Sequence, residues 1–450
     1  MSQHTPLLII HPTGSRYCRG VTDYDVVIVG GRPAGATLAA RLGARGHRVL
    51  LLDRASFPSL PSVPSSPLVH PGTMRLLDEL SITESSYAGA PIPTMSFQFG
   101  DYFDTVMSVP EMSGRAYLYG IDRHRFDELL WRNAARFATV EQREGFAVSD
   151  VLRDAEGRVV GVVGRERGGD EQRIRARCVI GADGRFSLVA RKVGAAIVEQ
   201  ETRCLSTVYF AEWEGVTPYR EGVQGAHIHA TGLGLDVLFF PMPGGRWSIN
   251  THHRADRVVI DGDPARYYQG VLDSLPEVAR RLVGARQVTP LVGVKRVGNG
   301  YREASGQGWA LVGDAVHYKD PVDGQGIYDA LIGARVLDLA LDSWLAGKRG
   351  WTDAMADYAR ALRAETHAMY LETVGRLRRE LYEEPPPMLA RTLLRWLMTD
   401  PAYQRRFMQF IGRELPAEGW LGKRLIGGAI VRGIRRDLRW SPKVPALTTS

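Results

Sequence analysis

The stretch DVVIVGGRPAGATLAARL, residues 25–42, decides the fold. Residues 26–29 form a continuous β-branched apolar run, the pattern of a buried strand, and residues 36–42 are helix formers that follow Gly35. Strand, glycine turn and helix in that order make a nucleotide cradle. Gly30 permits the tight turn, Gly35 lets helix and strand pack closely, and the amides of the first helical turn face a pyrophosphate. One part is changed: the middle glycine of G-x-G-x-x-G is Arg32, next to Gly31. An arginine is compatible with the site provided its backbone stays in an allowed region, and its side chain can then point outward to pair with a phosphate. After the helix, HRVLLLDR (47–54) reads as a second strand that ends at Asp53 and Arg54, where an acidic residue takes the ribose hydroxyls.

Two further stretches run a strand into an aspartate. CVIGADGRFSLVARKVGA (178–195) leads to Asp183 and Gly184. GWALVGDAVHYKDPVDGQGIYDALIGARVLDLAL (308–341) leads to Gly313 and Asp314, then a loop with Pro321, and a helix starting near Gly326. Both aspartates fall at the carboxyl ends of strands, where α/β sheets place ligand contacts. Pro321 stiffens the loop, and Gly324 and Gly326 around Gln325 allow close backbone approach to the helix that follows, whose exposed amides favour negative charge. His317 and Lys319 in this loop read as cofactor support at least as readily as proton-transfer groups.

In the order and spacing of the three motifs, over about residues 23–341, the sequence resembles the FAD-dependent monooxygenases of the p-hydroxybenzoate hydroxylase type. The resemblance implies that Gly30, Gly35 and Asp53, with Gly31, Arg32 and Arg54 beside them, hold the adenosine half of FAD. Asp183 and Gly184 match the motif associated with both FAD and the pyridine nucleotide. Gly313 and Asp314 match the motif for the ribityl chain, and Pro321, Gly324, Gln325 and Gly326 border the flavin. In IDRHRFDELL (121–130), Arg123 stands where the family places an arginine at the flavin. The sequence departs from the pattern at Arg32 and at Arg191, which sits one residue later than in most relatives.

The implied fold is α/β. It has a Rossmann-like FAD-binding domain (24–91, 119–199 and 298–349) interleaved with a mixed β-sheet substrate domain (92–118 and 200–297), and a C-terminal helical region (350–450). The implied chemistry is that NAD(P)H reduces FAD and O2 adds to the reduced ring. The resulting flavin C4a-hydroperoxide then hydroxylates or epoxidises an aromatic or polyketide-like small molecule.

Between the second and third motifs, CLSTVYFAEWEG (204–215), GAHIHATG (225–232) and LDVLFFPMPGGRWSINTHH (235–253) read as strands bounded by Gly and Pro turns, the expected substrate wall. Tyr209, Trp213, His227, His229, Phe239 and Trp247 are its candidate side chains. His227, His229 and Tyr209 are the catalytic candidates: alternation puts both histidines on one face, and a neutral imidazole can accept a phenol proton. No third ligand has suitable spacing, so no metal is expected. The proline-rich SLPSVPSSPLVHPG (59–72) should pass near the cofactor, EEPPP (383–387) interrupts a helical region, and the basic LGKRLIGGAIVRGIRRDLRW (421–440) reads as a helix that covers the flavin domain or makes an oligomer contact.

The 450 residues, 44% of them hydrophobic, suffice for one large interleaved domain or two to three ordinary ones. The net charge of +7 comes with acidic residues spread among the arginines, a mixed solvated surface rather than a nucleic-acid footprint. No apolar run reaches the roughly 18 residues of a membrane span, and LLII (7–10) is too short for a signal-peptide core. The expectation is a cytoplasmic monomer or homodimer whose partners are a small-molecule substrate and O2. The three cysteines, Cys18, Cys178 and Cys204, form neither a disulfide framework nor a zinc set.

Residues 1–191 contain no lysine. That argues against flavin-dependent halogenases, which take a lysine from the N-terminal flavin domain, and LFFPMP (238–243) stands where they carry a tryptophan-rich signature. Phe240-Pro241 followed by Gly244-Gly245 partly matches the geranylgeranyl reductases, so an FAD-dependent reductase of that kind is the alternative. A non-catalytic binding protein that kept the fold is another.

Overall fold

The computed structural model describes residues 23–61, 63 and 65–439. Cys18 and the stretch 7–10 lie outside them. Strand Tyr24–Val29 is central in an eight-stranded mixed sheet, parallel to Gln172–Gly181 on one side and to Val49–Leu52 on the other. Val140–Arg143 and Trp309–Leu311 extend the parallel part outward. A parallel sheet is covered on both faces, which is why residues 26–29 and 49–52 are uniformly apolar and buried. The antiparallel hairpin Phe146–Arg153 and Val159–Glu166 attaches through Gln172–Gly181. Helix Pro33–Ala44 packs against both Arg123–Ala134 and Gly326–Leu345 beside the sheet.

The register makes the site. Val29 pairs with Gly181, and Gly181 with Leu311. The glycine turn, the Asp183 turn and the Asp314 turn therefore leave three neighbouring strands at one edge.

The second sheet has nine strands, eight running from His317–Tyr318 through Val292–Arg302, Ile197–Glu214, Trp247–Arg254, Leu235–Pro241 and Ala226–Ala230 to Thr94–Phe99 and Phe103–Ser108, and the ninth, Arg286–Gln287, pairing beside Ile197–Glu214. Helices Pro264–Asp273 and Pro276–Arg281 cover one face through Tyr268, Leu272 and Val278. The other face looks toward the cleft and the C-terminal helices Trp351–Leu377 and Pro401–Ile411. The basic helix Lys423–Arg439, expected to cover the flavin domain or to make an oligomer contact, packs on Arg395–Met398 and Pro401–Ile411. It folds back on its own neighbours, where the Arg432 guanidinium donates to Asp400 at 2.6 Å and Trp396 Nε1 donates to Asp437 at 2.8 Å.

Among the described residues, no helix is long and apolar enough to cross a membrane, and no group of His, Cys, Asp and Glu is arranged to hold a metal. Cys178 and Cys204 are free thiols.

Candidate active site

Gly30 has φ +107°, and a Cβ there would lie 2.4 Å from the Ala182 carbonyl oxygen. At Gly35 a Cβ would lie 1.8 Å from the Gly30 carbonyl oxygen, so helix and turn touch as only glycine allows. Gly31 packs on the Trp131 ring and donates its N–H to Asp53 Oδ2 at 2.7 Å, while Asp53 Oδ1 accepts from the Ala55 N–H at 2.8 Å. Asp53 is thus fixed beside the glycine turn, and Arg54 is exposed.

Arg32 needs no glycine conformation. Its φ of −84° and ψ of −170° are extended backbone, and it precedes a helix with proline at the first position. Its side chain differs from the expected phosphate ligand. Nη1 lies 2.6 Å from Asp127 Oδ2 and 3.1 Å from the Ser59 carbonyl, and Nη2 donates to Ser59 Oγ and the Leu60 carbonyl at 3.0 Å each. Arg32 ties the proline-rich connection to the cleft. Asp127, fully buried, also takes a bidentate bond from Arg123, at 2.9 and 3.1 Å from Nη2, and Arg123 donates to Ser65. Two guanidiniums share one carboxylate, which leaves positive charge at the cleft wall.

In the middle motif, Asp183 turns into the protein: it accepts from the Leu188 and Val189 N–H groups at 2.7 and 3.1 Å and from Ser187 Oγ at 2.5 Å, and so caps the first turn of helix Leu188–Val193 together with its N-cap residue Ser187. Burial raises its carboxyl pKa above the ordinary value. Gly184, at φ +79°, is the member of the pair that lines the cleft. In the third motif Gly313 has φ +61° and Asp314 is half-buried, its Oδ2 3.6 Å from Arg185, with its pKa raised by burial. Asp320 N-caps the turn Pro321–Asp323, and Gly324, at φ +65°, ends it. Gln325 is clamped from the C-terminal region: its Nε2 donates to the Ile411 carbonyl at 3.0 Å and its Oε1 accepts from Arg413 Nε at 2.6 Å.

Lys319 lies 2.7 Å from Asp329, which Arg413 also pairs at 2.8 Å. His317 stacks on Tyr301 at 4.3 Å, and burial lowers its pKa to about 3, so it is a neutral packing group.

One cleft collects these pieces. Arg32, Ala34, Arg123, Gly184, Asp314 and Gly326 all line it, from every one of the three motifs. Arg185 and Lys319 add cations, and Asp320 and Asp329 add carboxylates. A Cβ at Gly184 or Gly326 would meet no atom within 4 Å, so two glycine faces and the first turn of helix Gly326–Leu345 open onto the cleft. Backbone amides, strand-end aspartates and excess cations fit an elongated ligand with anionic and sugar-like parts.

A recess under the nine-stranded sheet adjoins the cleft; Pro61, Val63, Ser65 and Arg123 line both. Phe210, Glu212, Met242, Ser248 and Val292 line the recess. His227, His229 and Tyr209 do not, which corrects the sequence expectation. Cross-strand pairs His227–Phe239–Ile249–Ala211 and His229–Val237–Thr251–Tyr209 define the opposite face, packed on Tyr268, Leu272 and Val278. There His227 Nδ1 lies 2.9 Å from Arg281, and burial lowers its pKa to about 2. His229 Nδ1 lies 2.9 Å from Gln98 Oε1. The titratable side chain that sequence reasoning passed over is Glu212, one pleat away from Ala211. Burial raises its pKa although it pairs with Arg246, which also bonds Asp122 at 3.0 Å.

A family profile described as "FAD binding domain" matches residues 23–366. A 1H-pyrrole-2-carbonyl-(peptidyl-carrier protein) chlorinase of Pseudomonas fluorescens is 23% identical over 349 residues, covering 70% of this chain and 74% of that protein. A digeranylgeranylglycerophospholipid reductase of Methanospirillum hungatei is 28% identical over 317 residues, 69% of this chain and 73% of its own. A 12-dehydrotetracycline 5-monooxygenase/anhydrotetracycline 6-monooxygenase of Streptomyces rimosus is 27% identical over 333 residues, 72% of this chain and 63% of its own. Among solved structures, the flavin-dependent brominase Bmp2 superposes with a TM-score of 0.74 at 20% identity, covering 92% of this chain and 99% of that one, a likeness of fold. Halogenases, set aside on the missing lysine, are therefore among the relatives.

Proposed function

The chain belongs to the FAD-binding-domain family, a family of FAD-dependent oxidoreductases, and from that premise we propose that it is a monooxygenase. It would use NAD(P)H and O2 to insert one oxygen atom into an electron-rich aromatic or polyketide-like small molecule. The observation that carries the reading is that cleft and recess adjoin, with Pro61, Val63, Ser65 and Arg123 lining both. A substrate resting on the sheet is then the immediate neighbour of whatever the three motifs hold.

When bound, reduced FAD would supply the electrons that activate O2, one atom of which goes to the substrate and the other to water. The chain binds, orients and dries the reactants. Gly30, Gly31, Gly35 and Asp53 would hold the adenosine half, Asp314 the ribityl chain, and Pro321, Gly324 and Gly326 would border the flavin ring. Arg123 adds positive potential, and Arg32 and Asp127 keep the 59–61 segment against the cleft. Phe210, Met242 and Val292 exclude water, which protects the activated oxygen from being lost as peroxide. Glu212 accepts the proton of a phenol or similar group, raising the electron density of the ring to be attacked; its raised pKa makes it a stronger base once ionised. The absence of lysine from residues 1–191 favours oxygenation over halogenation.

The test is NAD(P)H oxidation and O2 uptake by the flavin-loaded protein against phenolic and polyketide-like compounds, in halide-free buffer. Substrate-stimulated uptake of both without halide is expected. Turnover that requires chloride or bromide and yields a halogenated product would replace the reading with halogenation, and NAD(P)H consumption without O2 would bring the reductase forward.

A further inference from the structure

A second cavity, of about 510 Å³, lies between the nine-stranded sheet and the C-terminal helices and shares no lining residue with the cleft or the recess. Protein interiors hold few voids larger than a water molecule, whereas small-molecule sites begin at roughly this size. Its two long walls are aromatic. Phe97, Phe99 and Phe103 form the sheet side, with Phe103 5.8 Å from Phe99 at an interplanar angle of 28°. Phe407, Phe410 and Trp420 form the helix side, the last two stacked 4.7 Å apart at 7°. The interrupting segment 383–387 is at its rim: Glu383, Glu384, Pro385 and Pro386 line it. Turns wound with i to i+5 spacing, Arg378–Tyr382 and Ala390–Leu394, flank that segment, a winding that recurs at functional sites.

We propose that this cavity is a separate binding site for an uncharged polycyclic aromatic molecule. Flat aromatic walls on two sides select planar rings over a flexible chain. Charge selects against anions: Asp323, Glu372, Glu380, Glu383 and Glu384 outnumber Arg376 and Arg379 in the lining, while Glu383 and Glu384 also pair with Arg378 at 3.1 Å and Arg257 at 2.7 Å from outside it. Arg376 is already held by Asp323 at 2.7 Å and Glu380 at 2.9 Å. The site adjoins the loop that frames the cleft. Asp323 precedes Gly324, and Ile411, whose carbonyl takes the Gln325 amide at 3.0 Å, lines the cavity from the other side. An occupant touches Asp323 and Ile411, whose carbonyls both accept from the Gln325 amide, at 3.2 and 3.0 Å, and is placed as an effector of the cleft, whatever reaction the cleft performs.

The experiment is equilibrium dialysis of the flavin-loaded protein against 1-aminoanthracene, and in parallel against the anionic 8-anilinonaphthalene-1-sulfonate. Wild type should bind one 1-aminoanthracene per chain saturably, and the sulfonate at least about tenfold more weakly, a gap of about 1.4 kcal/mol. Leu394→Trp, inside the cavity, and Leu389→Trp, at its rim, should each weaken 1-aminoanthracene by at least about tenfold with FAD content unchanged. Leu389 is 39% exposed, so its variant folds and decides the matter even where the inner one does not. Absence of saturable binding to wild type, undiminished binding to the folded variants, or equal affinity for the sulfonate overturns the proposal. The monooxygenase reading stands or falls separately, on O2 uptake.

Discussion

Replacing Gly326 with valine should separate folding from cofactor binding. Gly326 opens the 20-residue helix Gly326–Leu345, lines the cleft, and would carry a Cβ with no atom within 4 Å. A Cβ there meets no neighbour, and the helix propensity of valine exceeds that of glycine by roughly 0.3 kcal/mol. Cofactor-free protein should be as stable as wild type or slightly more so. The same side chain blocks approach to the first-turn amides. Losing two hydrogen bonds to a charged ligand edge, at about 1.5–3 kcal/mol each, totals roughly 3–6 kcal/mol. FAD affinity should fall by about 10²- to 10⁴-fold. Gly35→Ala provides the contrast: its Cβ would sit 1.8 Å from the Gly30 carbonyl oxygen, an overpacking that costs at least about 1–3 kcal/mol before any ligand arrives. The assay titrates FAD into cofactor-free protein by fluorescence quenching, alongside thermal unfolding. A folded Gly326→Val protein that binds FAD within about threefold of wild type would refute the placement of the cofactor against this helix end.

Asp314→Ala should purify with little flavin, and a variant with full flavin content and unchanged affinity would remove Asp314 from the site. Glu212 should set the rising limb of the pH profile of kcat/KM, because its carboxyl is raised above the ordinary value by burial and must ionise to accept a proton. The linked stability has the matching sign: the folded state favours the protonated form, so Glu212 contributes stability below its unfolded pKa that is lost as pH rises through the folded value. Glu212→Gln should abolish that limb, and a profile identical to wild type would exclude the role. His229→Gln, on the covered face of the sheet, should leave substrate-stimulated NAD(P)H oxidation at the wild-type level; a large loss would show that this face communicates with the cleft after all.

The glycine turn was legible because a parallel strand covered on both faces must be apolar throughout, and because Gly30 and Gly35 are set by backbone approach, not by distant partners. Arg32 was legible as a tolerable departure able to pair with a phosphate. Its bonds to Ser59, Leu60 and Asp127 join segments distant in sequence and left no local signal. Alternation correctly placed His227 and His229 on a common face but carries no sign, and in this sheet both faces are largely buried, one by helices and one by the cleft and C-terminal region. Hydrophobicity therefore did not tell Ile228 from its neighbours, and Glu212 was overlooked. Asp183 shows the ambiguity of an aspartate after a strand: its carboxylate caps a helix while Gly184 faces the cleft. The clamp on Gln325 by Ile411 and Arg413 had no local signal, since it joins segments more than eighty residues apart.

The central claim is that a substrate bound beside the three-motif cleft receives one atom of dioxygen. Turnover under isotopically labelled dioxygen in ordinary water, with mass spectrometry of the product, tests it most directly. The product should be heavier than the substrate by one labelled oxygen atom, with the other atom of each dioxygen leaving as water. A product oxygen drawn from solvent, or a product that differs from the substrate only in hydrogen or in halogen, would contradict the account.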